Sequence, residues 1–260
     1  MRDMLNRTGP LARAILDLLR SLPLRWKRLD VERLTGTVGT VAQPWRLIHP
    51  TALGGLTLGD VTNAVVSITG DCGAIKAKRW QDGSIQAAKI ASIAATGVAG
   101  TTTVQAVPGD FGADVTLTNA LAKVALGTLT VAGWLDGSTI SSAGALGTLT
   151  VGGLRSSTIT AGDLGETPAT QMALGSLTVK GIAGETDLVL GSSISAWSLG
   201  RVTLRDVNPA NGGTVFGVKG HTLASYTRYA GKVVAKKATK LTGPLEDAVE
   251  ADTDFSVAVV

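Results

Sequence analysis

Two aspartates stand at equivalent places in a repeated stretch, Asp82 and Asp136, and a pair of carboxyl groups is the first requirement for hydrolysing a glycosidic bond. That chemistry needs the two groups about 5–9.5 Å apart. They are 54 residues apart in sequence; with about 20 residues to a coil and ~4.8 Å between coils, the expected separation is on the order of 13 Å. Each aspartate also precedes a glycine, the pair that tight turns prefer. They read as turn residues, with no catalytic residue assigned and no enzyme expected.

Other candidates are sparse. Asp110 and Asp114 in Gly-Asp-Phe-Gly-Ala-Asp are weak calcium candidates, without the dense alternating oxygen ligands of a dedicated loop, so no metal site and no cofactor are expected. His49 and His221 are the only histidines and fall near opposite ends of the repeats. Serines and threonines abound outside any nucleophile-elbow or triad context, and the glycines form neither a dinucleotide fingerprint nor a phosphate loop. Trp80, Trp134 and Trp197 are candidates for stacking on sugar rings if they share a face; the plainer expectation is that a corner tryptophan shields the core edge. Cys72, the single cysteine, replaces the leucine of other copies and reads as a small buried hydrophobe.

The element that must position these residues is a repeat. Leu126-Gly127-Thr128-Leu129-Thr130-Val131 recurs from Leu146 to Val151, from Leu174 to Val179 and from Leu199 to Leu204. Alternation of apolar residues with Thr or Ser marks a half-buried strand, with Leu129 and Val131 inward and Thr128 and Thr130 outward. A second short strand follows each first one after a glycine-rich corner, around Ile140, Ile159 and Ile194. The expected core row is Leu126, Leu129, Val131, Ile140, Leu146, Leu149, Val151, Ile159, Leu174, Leu177, Val179 and Ile194. More worn copies begin near Leu53, Cys72 and Ile90, and Trp80 then aligns with Trp134.

Such units cannot bury their apolar faces alone, but stacked turns of a coil share one interior. The expected fold is an all-β, right-handed parallel β-helix, or β-solenoid, over residues 35–227. Aromatics at 4% and 33 glycines argue against a sandwich or propeller and suit a narrow coil with glycine at positive-φ corners. The outward pairs Thr128/Thr130, Thr148/Thr150 and Ser176/Thr178 form a grid that resembles ice-binding solenoids, interrupted at Arg201. Ice binding is therefore a minor alternative.

Residues 1–34 read as a basic capping segment. Leu11, Ala14, Ile15, Leu18, Leu19 and Leu22 lie on one face of an amphipathic helix that Pro10 starts. Covering an open strand edge is its expected role. Contact with a membrane surface, through Arg20, Arg25, Trp26, Lys27 and Arg28, is open only to this segment. Residues 228–260 read as the other cap: Arg228, Lys232, Lys236, Lys237 and Lys240, then an acidic tail ending in the alternating strand Phe255–Val260. The net charge of +4 sits in these flanks, and no basic face with interleaved aromatics indicates nucleic acid. No secretion signal is visible, because Arg13, Asp17 and Arg20 break the apolar stretch.

The stretch Ala74–Gly97, the phrase Gly109–Thr118 and the Asp254–Val260 ending, together with the hexamer repeats, resemble β-helix-type repeat regions of very large secreted or cell-surface proteins of environmental bacteria. The resemblance implies an extracellular or cell-surface, non-catalytic structural or adhesive stalk, whose partners are surface polysaccharide or other cell-surface proteins. The alternative is a carbohydrate-binding or polysaccharide-active β-helix.

Overall fold

The computed structural model describes residues 29–30, 38–100, 106, 108–164, 172–243 and 249–260. The amphipathic helix expected over Leu11 to Leu22 lies outside them; of the segment 1–34 only Leu29–Asp30 is described, a short strand paired in parallel with Leu56 and Thr57. Among the described residues there is no helix.

The protein is all-β and built on long parallel sheets. An 11-stranded sheet runs in the order Leu29–Asp30, Leu53–Thr57, Asp71–Ala77, Lys89–Ala95, Leu126–Asp136, Leu146–Arg155, Ala173–Val179, Ser198–Arg205, Thr222–Ala230 and Val233–Thr242, with Val189–Leu190 alongside Leu146–Arg155. A 10-stranded sheet runs Trp45–His49, Ala64–Ile68, Gly83–Ala87, Asp114–Leu117, Thr139–Ser142, Thr158–Ala161, Ser193–Ala196, Phe216–Gly220, Phe255–Val259 and Glu250–Asp252. Between Leu53 and Ala230 the chain visits the two sheets alternately, adding one parallel strand to each per circuit, a strand order compatible with a β-solenoid. A third, narrow ladder lies between them, where Asp60–Val61 pairs with Arg79–Trp80 and single bridges continue it through Phe111 and Leu135.

Period-two alternation decides the interior. Leu56, Ile75, Ile93, Leu129, Leu149, Leu177, Val202 and Tyr226 stack in register from the first sheet, and Val66, Ile85, Val115, Ile140, Ile159, Ile194, Val218 and Val257 from the second. They join one buried cluster that also holds Leu126, Val131, Leu146, Val151, Leu174 and Val179. Short β-branched and leucine side chains fill a narrow interior at about 25 cal/mol per Å² of apolar area removed from water.

The glycine of the Leu-Gly-Thr-Leu-Thr-Val hexamer has a different role from the one its sequence suggests. Gly147 and Gly200 are not at positive φ; a Cβ on Gly200 would come within 1.9 Å of the Gly175 carbonyl oxygen, and one on Gly147 within 2.2 Å of that of Gly127. Close approach of successive backbones excludes a side chain there. Positive φ is needed instead at the corner before the second sheet, where Gly137 and Gly191 sit at 64° and 49°. Ser156 holds the same corner at 48°. Left-handed geometry costs a residue with a Cβ about 1–2 kcal/mol, of which glycine's entropy returns part. Ser156→Gly is expected to raise the thermal midpoint, and an unchanged or lowered melting curve refutes the strain.

Both sheets end by reversing direction. Val233–Thr242 pairs antiparallel with Thr222–Ala230, so the basic segment beginning at Arg228 starts inside a strand. Glu250–Asp252 pairs antiparallel with Phe255–Val259, which is itself the last parallel strand of the second sheet. Tyr226, buried, donates its hydroxyl to Glu250 at 2.6 Å, and Arg228 binds the other Glu250 oxygen at 2.9 Å, tying the ends of the two sheets together. Val233–Thr242 is exposed along most of its length, and Lys236, Lys237 and Lys240 on it discourage edge-to-edge pairing with another chain.

Candidate functional site

The corner between the first sheet and the third ladder carries most of the chemistry that the sequence offers. Trp80 does not stand in line with Trp134: it bridges Phe111, which bridges Leu135, so its true equivalent is Leu135. One residue of register turns a strand side chain from outside to inside. Trp80 is fully buried, 6.0 Å from the Phe111 ring, with its indole N–H donating to the Asp82 carbonyl at 2.9 Å. It shields the core and is removed from the sugar-stacking candidates.

Trp134 points outward, half-buried, with its ring lying over Gly153 of the next coil and the Arg155 guanidinium carbon 4.9 Å from the ring centroid. Arg155 in turn donates two hydrogen bonds to Asp136, at 2.9 and 2.6 Å. Asp60 and Arg79 form the same fork, at 3.0 and 2.7 Å. In both, the hydrogen bonds that the guanidinium donates to the Asp carboxylate hold it more firmly protonated than usual. With about two-fifths of each side chain exposed, the Arg155–Asp136 pair contributes about 0–1 kcal/mol.

Trp197 occupies a different corner, between Ser193–Ala196 and Ser198–Arg205, against the His221 ring, with centroids 3.7 Å apart and the planes tilted by 40°. His221 Nε2 lies 3.1 Å from the Leu164 carbonyl oxygen, and His49 Nδ1 lies 3.0 Å from that of Thr51. The three tryptophans therefore form no common row.

Three other aspartates bind backbone amides. Asp110 accepts from the Trp134 amide at 2.8 Å, Asp114 from the Thr139 amide at 2.8 Å, and Asp82 from the Gly83 amide at 2.6 Å. Asp110 and Asp114 thereby bridge successive coils rather than converging on an ion, and among the described residues no three His, Cys, Asp or Glu side chains gather as a metal site requires.

A buried serine ladder is the feature sequence reasoning missed. Ser138, Ser157 and Ser192 each precede a second-sheet strand, and all are at most 1% exposed. The Ser157 hydroxyl accepts from the Ser138 amide, and its one proton lies within reach of two carbonyl oxygens, those of Arg155 at 2.9 Å and Leu135 at 3.1 Å; the Ser192 hydroxyl accepts from the Ser157 amide and donates to Leu190. The signal was present as Gly-Ser-Thr-Ile, Ser-Ser-Thr-Ile and Ser-Ser-Ile, whose first common serine is this one.

Cys72, in register with Leu53 and Ile90, is 4% exposed, and burial pushes its thiol up to about 11. A thiol raised in the folded state favours folding below its unfolded value, here 9.0, and that contribution is lost as pH climbs from 9.0 towards about 11. Native Cys72 is expected to resist a thiol reagent at pH 8 and to react at once in denaturant; rapid labelling of the folded chain contradicts its placement.

The first sheet also presents outward hydroxyls in register. Thr130, Thr150, Thr178, Thr203 and Thr227 form one column, and Thr128, Thr148, Ser176, Arg201 and Ser225 the other. No protein-family model, no curated protein and no solved structure matches this chain.

Proposed function

We propose that the chain is a right-handed parallel β-helix serving as a non-catalytic structural or adhesive module of a bacterial surface protein. The handedness follows the general preference of parallel crossover connections. The observation that carries the reading is the use of the carboxylates. Asp60 and Asp136 pair with arginine one coil on, while Asp110 and Asp114 hold backbone amides of the following coil. Groups that a hydrolase would direct into a groove here fasten one coil to the next, as a stiff stalk requires.

The test is an immunoblot of cells that make the protein, with and without protease shaving of the intact cells. A band much larger than 26.4 kDa that shaving removes supports the reading. A protected band of that mass refutes it, and so does release of products from a plant or algal glycan by the purified chain. A second reading, contact with surface polysaccharide, is favoured by Trp134, whose ring, flanking guanidinium and Asp136 give one corner an amphipathic and hydrogen-bonding edge. Trp134→Ala is then expected to abolish retention on a glycan array while leaving the fold intact; retention unchanged by the substitution removes this reading.

A further inference from the structure

We infer that the outward face of the first sheet binds the surface of ice, through the two hydroxyl columns centred on Thr150. This rests on the register of the coils and is independent of the surface-module reading.

The inner column reads Lys76, Ala94, Thr130, Thr150, Thr178, Thr203, Thr227 and Lys237, each paired in parallel with the one before except for the antiparallel last step. Lysines flank this stretch, which holds only threonine and one alanine between them, and beyond Lys76 the register continues to Thr57. Parallel register places the five threonines ~4.8 Å apart, about 19 Å in all, with the outer column about 7 Å away along each strand. Arg201 interrupts the outer column alone, leaving Thr128, Thr148 and Ser176 beside the inner one.

The chemistry of this face selects its ligand. Each threonine offers a hydroxyl that both donates and accepts, and a methyl that displaces water. β-Branching restricts the rotation of each side chain, so the array is ordered before it meets anything. The coils are locked behind it by the buried stack Leu129, Leu149, Leu177 and Val202. No single hydroxyl contributes much, so useful affinity demands a ligand that meets many of them together: a flat lattice of donors and acceptors. A sugar polymer is the less suitable lattice, because its rings stack on aromatic side chains. Neither column contains one from Thr128 to Thr227, Trp134 and Trp197 lying at corners.

The experiment measures ice-recrystallisation inhibition and thermal hysteresis by the purified 260-residue chain, against an inert protein at equal concentration. The wild-type chain is expected to arrest crystal coarsening. Thr150→Lys and Thr178→Tyr should each abolish the arrest with an unchanged melting curve, and Gln86→Lys, on the second sheet, should leave it intact. Wild-type behaviour identical to the inert protein overturns the inference, as does equal loss in Gln86→Lys. Sedimentation with crystalline cellulose or chitin that Thr150→Lys prevents, without arrest of ice growth, also overturns it and reassigns the face to polysaccharide.

Discussion

Leu149→Asp is expected to abolish the cooperative melting transition of the purified chain. Leu149 has no exposed surface, and its neighbours in register are Leu129 below and Leu177 above. A carboxylate there has no cationic partner, and an uncompensated buried charge costs about 3–5 kcal/mol, against a total stability of about 5–15 kcal/mol for an ordinary domain. The loss is amplified by the architecture, since a coil in a stack is held only by the coils on either side. Two comparisons separate burial from general fragility. Leu149→Met should cost less than about 1.5 kcal/mol, and Thr150→Asp, one residue along and on the outer face, should lie within about 0.5 kcal/mol of wild type. Circular dichroism melts of the three variants decide the matter, and a wild-type curve for Leu149→Asp would reject the inward assignment.

Ser157→Ala is expected to have the next largest effect, about 1–3 kcal/mol. The substitution removes the acceptor of the Ser138 amide and the one hydroxyl proton within reach of the Arg155 and Leu135 carbonyls, all within a buried corner. Ser192→Ala should resemble it, because it orphans the Ser157 amide. Ser138→Ala should cost less, since its hydroxyl donates to the Phe111 carbonyl alone. Hydrogen exchange gives the direct readout: the Ser138 amide should exchange faster in Ser157→Ala than any global loss of stability explains. Equal melting points for the three variants would mean that the ladder is not what holds the corner.

Much of the architecture was legible because a strand's side chains alternate and a coil repeats. The hexamers declared which residues face inward, and Leu129, Leu149 and Leu177 meet in the register that the repeats imply. Where the copies were worn, legibility failed by a single residue. Aligning Trp80 with Trp134 was reasonable by letter and wrong by face, because only the pairing through Phe111 shows where the inserted residue falls. The serine ladder was visible as a recurring letter, but its purpose depends on an amide in one coil meeting a hydroxyl in the next. Likewise the roles of Asp110 and Asp114 appear only when Trp134 and Thr139 arrive beside them.

What the sequence determined by itself was therefore local and periodic: extended strands, their inner and outer faces, the glycine corners and one shared interior. Those follow from backbone sterics and the alternation of apolar with hydroxylated residues, which need no partner to be read. The tertiary structure alone decided the register between worn coils, the antiparallel reversal of the last strands, and the assignment of carboxylates and serines to neighbouring backbone. These depend on which groups meet across some 20 to 35 residues of chain, as Asp110 meets the Trp134 amide 24 residues on and Ser157 the Ser192 hydroxyl 35 residues on. Distances of that kind are set by coil length, and coil length varies here from one turn to the next.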